Sequence, residues 1–138
     1  IRNLLENGFL EKANKLLNRN WAIQGVVKKG RQVGKKIGFP TCNIDIKDYV
    51  LAKPGVYAVR VSRKNNSKTL KGIANLGYRP TFNGQSLLLE TNIFGINKNL
   101  YNKVITVGFK KFLRAEKKFK SFEYLKKQIK IDIKQAKK

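Results

Sequence analysis

The chain has no histidine and no methionine, a single cysteine, and only 8 acidic residues against 31 lysines and arginines. Without histidine there is no imidazole to act as general base, proton shuttle or metal ligand. The one cysteine, Cys42, excludes an internal disulfide and points to a reducing, cytoplasmic setting. No stretch approaches the roughly 20 apolar residues of a membrane span, and no signal peptide is visible. Because residue 1 is Ile and no Met follows, the sequence reads as a piece of a longer protein. Apolar residues nevertheless make up 41% of 138. That sets disorder aside and allows one domain with a real core.

The formal charge of +23 admits three readings: a nucleic-acid surface, a site for phosphate-bearing ligands, or a solvated lysine coat. The lysines are spread along the whole chain instead of gathered in one arm, which favours the coat for most of them. Few acids make each acid informative.

The densest local signal is Gly25 to Asn43, GVVKKGRQVGKKIGFPTCN. Gly30, Gly34 and Gly38 recur every four residues, with Arg31, Lys35 and Lys36 among them. Glycines let backbone N–H groups close on an anion, and lysines add point charges for phosphate. Thr41 and Asn43 flank one residue and offer hard oxygen ligands, suited to Mg²⁺ already held by substrate phosphates. The spacing fits neither a Walker A loop nor the dinucleotide pattern. A basic surface hairpin would share the glycines and lysines; the Pro40-Thr41-x-Asn43 ending makes the pattern specific.

Two terminal helices and six strands follow from periodicity. Leu4, Leu5, Phe9, Ala13, Leu16 and Leu17 keep helical spacing, with a break at Gly8. Strands are predicted over 22–28, 42–46, 55–62, 69–76, 86–94 and 103–109, separated by turn signals such as Lys53-Pro54-Gly55 and Asn83-Gly84. This spacing predicts a mainly β fold, a six-stranded closed antiparallel barrel of Greek-key type. Ser121 is placed to cap a final helix whose stripe is Phe122, Leu125, Ile129, Ile133 and Ala136.

Among the acids, Glu90 stands out, inside the strand Leu87-Leu88-Leu89-Glu90-Thr91-Asn92-Ile93-Phe94. Alternation puts Leu88, Glu90, Asn92 and Phe94 on one half-apolar face. An edge-strand Glu facing solvent is the plain reading; a partly buried functional acid fits the apolar company better. Cys42 reads as a small core residue more than as a reactive thiol.

Gly30-Arg31-x-x-Gly34-x-x-x-Gly38-Phe39-Pro40-Thr41-x-Asn43 resembles the signature of riboflavin kinases, above all the C-terminal module of bacterial bifunctional riboflavin kinase/FMN adenylyltransferases. The similarity continues through Pro54-Gly55-Val56-Tyr57, Ala74-Asn75-Leu76-Gly77-Tyr78-Arg79-Pro80-Thr81, Leu89-Glu90-Thr91-Asn92 and Leu113-Arg114-x-Glu116-x-x-Phe119. The resemblance implies phosphorylation of riboflavin to FMN by Mg-ATP. Gly30, Gly34, Lys35 and Gly38 would bind the nucleotide, Thr41 and Asn43 the metal, Phe39 and Arg114 the flavin, with Glu90 as base. It implies that residues 1–20 are a helical linker from a missing adenylyltransferase domain and that 21–138 form the kinase barrel with its C-terminal helix. Three positions depart from the family pattern: Asn92 where His is usual, Gly95 where an acid or amide is frequent, and Cys42 where Ala is usual. Two other classes are compatible with the residues, a nucleic-acid-binding barrel and a non-catalytic flavin-binding module.

Overall fold

The computed structural model describes residues 2–28, 41–46, 52–63, 68–81, 84–95 and 100–138, with the backbone alone for 79–81, 85 and 122. The predicted nucleotide residues Gly30, Gly34, Lys35 and Gly38, and Phe39, lie outside the described residues.

The N-terminal segment forms helices α1 (Arg2–Glu6) and α2 (Leu10–Leu17). They part at Gly8, whose φ of +79° is accessible to glycine at little cost. Leu5, Leu10 and Ala13 face inward and are buried. Helix α2 ends at Asn18, in the left-handed conformation, with its N–H on the carbonyls of Asn14 and Lys15. The Asn14 side chain then ties the helix to the sheet: Nδ2 donates to the Phe109 carbonyl at 2.7 Å, and Oδ1 accepts from the Trp21 N–H at 2.7 Å.

Six antiparallel strands follow: β1 (Trp21–Val26), β2 (Cys42–Ile46), β3 (Gly55–Arg63), β4 (Thr69–Thr81), β5 (Gly84–Ile93) and β6 (Val104–Arg114). Their order in the sheet is β1-β6-β3-β4-β5-β2. The sheet curls into a nearly closed barrel. At the seam between β1 and β2, Lys28 bridges Asn43, its N–H reaching the Asn43 carbonyl at 2.7 Å.

Side chains alternating inward from every strand fill the barrel, among them Ile44, Tyr57, Val59, Leu76, Leu89, Ile105, Val107 and Phe109. Phe109 sits edge-on to Trp21 and Tyr57, with ring centroids 4.9 and 4.8 Å away. Burial of Tyr57 holds its phenol protonated far above the usual range, and its hydroxyl donates to the Lys53 carbonyl.

Two strands run further than periodicity predicts. Beyond Leu76, β4 pairs among the described residues with β5 alone, through Gly77↔Leu88 to Thr81↔Gly84. An edge with no described partner accommodates Pro80, which has no N–H to offer a neighbouring strand. The lysine-rich end of β6 looks like a loop by composition. Instead it continues along β3 with two register shifts, pairing Ala58↔Lys111, Tyr57↔Phe112 and Val56↔Arg114. The extra residues of these bulges keep the lysines outward and return Phe112 to the core.

The last helix, α3 (Phe122–Lys137), is capped by the Ser121 hydroxyl, which accepts a long bond of 3.5 Å from the Tyr124 N–H. It packs on the outer face of β3, β4 and β6. Leu125, Ile129, Ile133 and Ala136 are half-buried on its inner side, and Val56 and Ala58 of β3 are buried on the barrel's outer face.

Thr91 faces the barrel interior opposite Cys42 and Ala74, fully buried, and its Oγ1 has no hydrogen-bond partner among the described residues. An unpaired buried hydroxyl costs about 1–3 kcal/mol, and an apolar group of the same shape removes that cost. Thr91→Val should therefore leave stability unchanged or raise it by about 1 kcal/mol, measured by chemical denaturation. A clear loss would mean that the hydroxyl is bonded.

Candidate active site

The register of β2, β5 and β4 builds a polar row on the outside of the barrel. Asn43 lies directly opposite Glu90, and Glu90 directly opposite Asn75. Directly opposed residues share a face of the sheet. On the reverse face, one residue along, Ile44, Leu89 and Leu76 oppose one another inside the core. The row continues through Val56 of β3 to Arg114 of β6. At about 4.8 Å per strand, Glu90 lies roughly 14 Å from Arg114 along it.

At one end of the row, Asn43 is almost completely buried, 4% exposed, beside the seam. Thr41 stands half-exposed two residues earlier, the spacing at which extended side chains share a face. Lys28 and Asp45 lie beside them, 3.9 Å apart and each about half exposed, a pairing too solvated to stabilise much. Among the described residues no three His, Cys, Asp or Glu side chains gather as a metal cage. The donors here are a carboxamide and a hydroxyl, which fit Mg²⁺ carried mostly by substrate phosphates.

Glu90, in the middle, is half-buried. Asn75 beside it is half-buried as a residue, yet its Oδ1 is buried with no hydrogen-bond partner among the described residues. Asn92 lies two positions along β5 on the same face, opposite Ile73. Cys42 points the other way, against the core, and burial pushes its thiol up, away from the reactive thiolate.

At the far end, Arg114 is locked in place. Its Nε donates to Asp132 Oδ1 at 2.9 Å and its Nη2 to Asp132 Oδ2 at 2.8 Å. Its Nη1 donates to the Ala115 carbonyl at 3.0 Å. The guanidinium carbon stands 5.7 Å from the Phe119 ring centroid. The end of β6 can reach this place because residue 55 is glycine. A Cβ there would lie 2.4 Å from the Arg114 carbonyl and 2.6 Å from the Phe112 ring, at a φ of +154°.

The row thus collects three of the sequence-predicted residues, Asn43, Glu90 and Arg114, on one face. Sequence reasoning assigned no role to Asn75 or Asp132. Asn75 becomes visible only once the register is known. Asp132 carried a signal: with Leu125, Ile129 and Ala136 it keeps a 4-3-4 spacing, so a carboxylate stands at a position of the apolar stripe.

Comparison with known proteins identifies the family and the fold. The family described as Flavokinase: Riboflavin kinase matches residues 17–138. A bifunctional riboflavin kinase/FMN adenylyltransferase from Haemophilus influenzae is 42% identical over 137 residues, covering 99% of this chain and 44% of that protein. The chain therefore spans less than half the length of that relative. A crystal structure described as a macrolide-efflux protein from Streptococcus pneumoniae superposes with a TM-score of 0.89 at 30% identity, over 99% of this chain and 44% of that one. In this chain, no helix among the described residues is long and apolar enough to cross a membrane. A riboflavin kinase from Trypanosoma brucei shares the fold, with a TM-score of 0.57 at 19% identity over 84% of this chain and 76% of that one. With its six-stranded barrel and a family match over residues 17–138, the chain belongs to the riboflavin kinase family.

Proposed function

We propose that this chain transfers the γ-phosphoryl group of ATP to the primary hydroxyl of riboflavin, giving ADP and FMN. The observation that carries the reading is the cross-strand pair Asn43–Glu90, a metal-suited oxygen directly beside a half-buried carboxylate. Phosphoryl transfer asks a protein mainly for positioning and charge neutralisation. Glu90 orients the attacking hydroxyl and takes its proton as the new O–P bond forms. Asn43 and Thr41 would hold Mg²⁺, which when bound would offset the negative charge of the phosphate oxygens. Gly30, Gly34 and Gly38 supply backbone N–H groups to the nucleotide phosphates, and Lys35 adds positive charge. Phe39 and Arg114 contact the flavin. On this reading the reacting atoms lie over Glu90 and the flavin extends along the row toward β6. The whole protein, like its H. influenzae relative, carries an FMN adenylyltransferase domain, to which residues 1–20 lead, and works in the cytoplasm on small molecules, with no specific nucleic-acid partner.

Three outcomes test this reading. Incubation with riboflavin and Mg-ATP should yield FMN by flavin chromatography, and added FMN should not become FAD. Appearance of FAD, or absence of FMN, contradicts the assignment. Glu90→Gln should lower kcat by about 10²–10⁴-fold with little change in riboflavin or ATP binding. A nearly unchanged rate would return Glu90 to the role of a surface residue. Thr41→Ala and Asn43→Ala should each raise the Mg²⁺ concentration needed for half-maximal rate while thermal unfolding stays close to that of the parent. Unaltered metal dependence in both would remove them as ligands.

A further inference from the structure

The Arg114–Asp132 pair joins the barrel to α3 at the flavin end of the polar row. Asp132 is 3% exposed and is the one acidic residue buried among those described. A carboxylate so buried is costly unless its oxygens are filled. Here both are. Oδ1 accepts from Arg114 Nε and, at 3.0 Å, from Gln128 Nε2; Oδ2 accepts from Arg114 Nη2. The guanidinium is thereby gripped along its Nε–Nη2 edge, in the two-pronged geometry that fixes its plane. The Ala115 carbonyl accepts one further hydrogen bond from Nη1. Of five N–H donors, one on Nη1 and one on Nη2 have no partner among the described residues and face away from Asp132. The Arg114 side chain is mostly buried yet 15% exposed, so it stays within reach of a ligand.

We propose that Asp132 is a positioning residue for riboflavin. By holding the inner edge of Arg114, it aims the two remaining N–H donors at acceptor atoms of the flavin ring. The inference rests on the kinase reading and on Arg114 as a flavin contact. It adds that α3 sets riboflavin affinity, and that Gln128 does so in a lesser degree through the same carboxylate. Without Asp132, Arg114 keeps its charge and its place on β6. It loses its fixed plane and gains rotamers, which raises the entropy cost of each flavin contact. ATP, at the Asn43 end of the row, is bound by other groups and is unaffected.

The test is steady-state kinetics of Asp132→Asn and Asp132→Glu with thermal unfolding alongside. Asp132→Asn should raise the riboflavin KM by about tenfold to a hundredfold, the range of a charge-assisted hydrogen bond. The ATP KM should stay within about twofold, and Asp132→Glu, which keeps the charge, should recover part of the riboflavin KM. If Asp132→Asn is not folded at the assay temperature, Gln128→Ala decides: a riboflavin KM raised by about two- to tenfold with ATP KM unchanged upholds the proposal. An unchanged riboflavin KM in a folded Asp132→Asn, or in Gln128→Ala where that variant decides, overturns it. So does an equal rise in both KM values, which marks a purely structural pair. A parent chain that makes no FMN fails the kinase reading itself, a separate result from a parent that works and variants that match it.

Discussion

The antiparallel register of β5 between β2 and β4 is the constraint on which the rest depends. Side chains alternate with period two, so a slip of one residue would turn Glu90 into the barrel and Leu89 out to water. The apolar partners Ile44, Leu89 and Leu76 forbid that slip, because together they occupy the interior at almost no exposure. The core therefore places the carboxylate. Polar residues gain their neighbours as the necessary reverse side of a hydrophobic row.

Much of this was legible in the sequence, for reasons that can be named. The break at Gly8, the cap at Ser121 and the six strands rest on local chemistry, and each lies where that chemistry puts it. Glu90 was found because an acid among leucines is energetically odd. The ends of β4 and β6 were misread where tertiary context overrides local preference: an edge with no described partner tolerates Pro80, and bulges let a lysine-rich segment keep pairing with β3. The six-stranded antiparallel barrel that the spacing predicts is there, nearly closed, with Lys28 bridging Asn43 at the seam. Asn75 was out of reach because cross-strand neighbours are not encoded by proximity in the chain. The glycine-rich segment from Gly30 to Gly38, the strongest motif, lies outside the described residues, so its roles stand on its pattern alone.

The lysine excess takes on a plainer meaning in the folded chain. On α3, Lys126, Lys127, Lys130, Lys134 and Lys137 are all exposed, while the inner side of the helix carries its aliphatic stripe and one carboxylate. Two of these lysines lie over aromatic rings, Lys127 above Tyr124 and Lys137 above Phe94, at 5.9 and 5.2 Å. Such contacts set exposed ammonium groups over ring faces at the surface, as expected of a solvated coat.

The seam between β1 and β2 gives the two ends of the polar row unequal rigidity. Glu90, Asn75 and Arg114 stand on strands paired along both edges or clasped by a helix, whereas Asn43 stands on the strand whose outer edge, among the described residues, is secured at Lys28. Local opening free energies follow such differences in backbone pairing. Amide protons along β2 should accordingly exchange by a smaller fluctuation than those of β4 and β5. On the proposed reading, the end of the row that would meet the phosphate donor is the one free to breathe, and the end that would receive the phosphoryl group is the one held fixed.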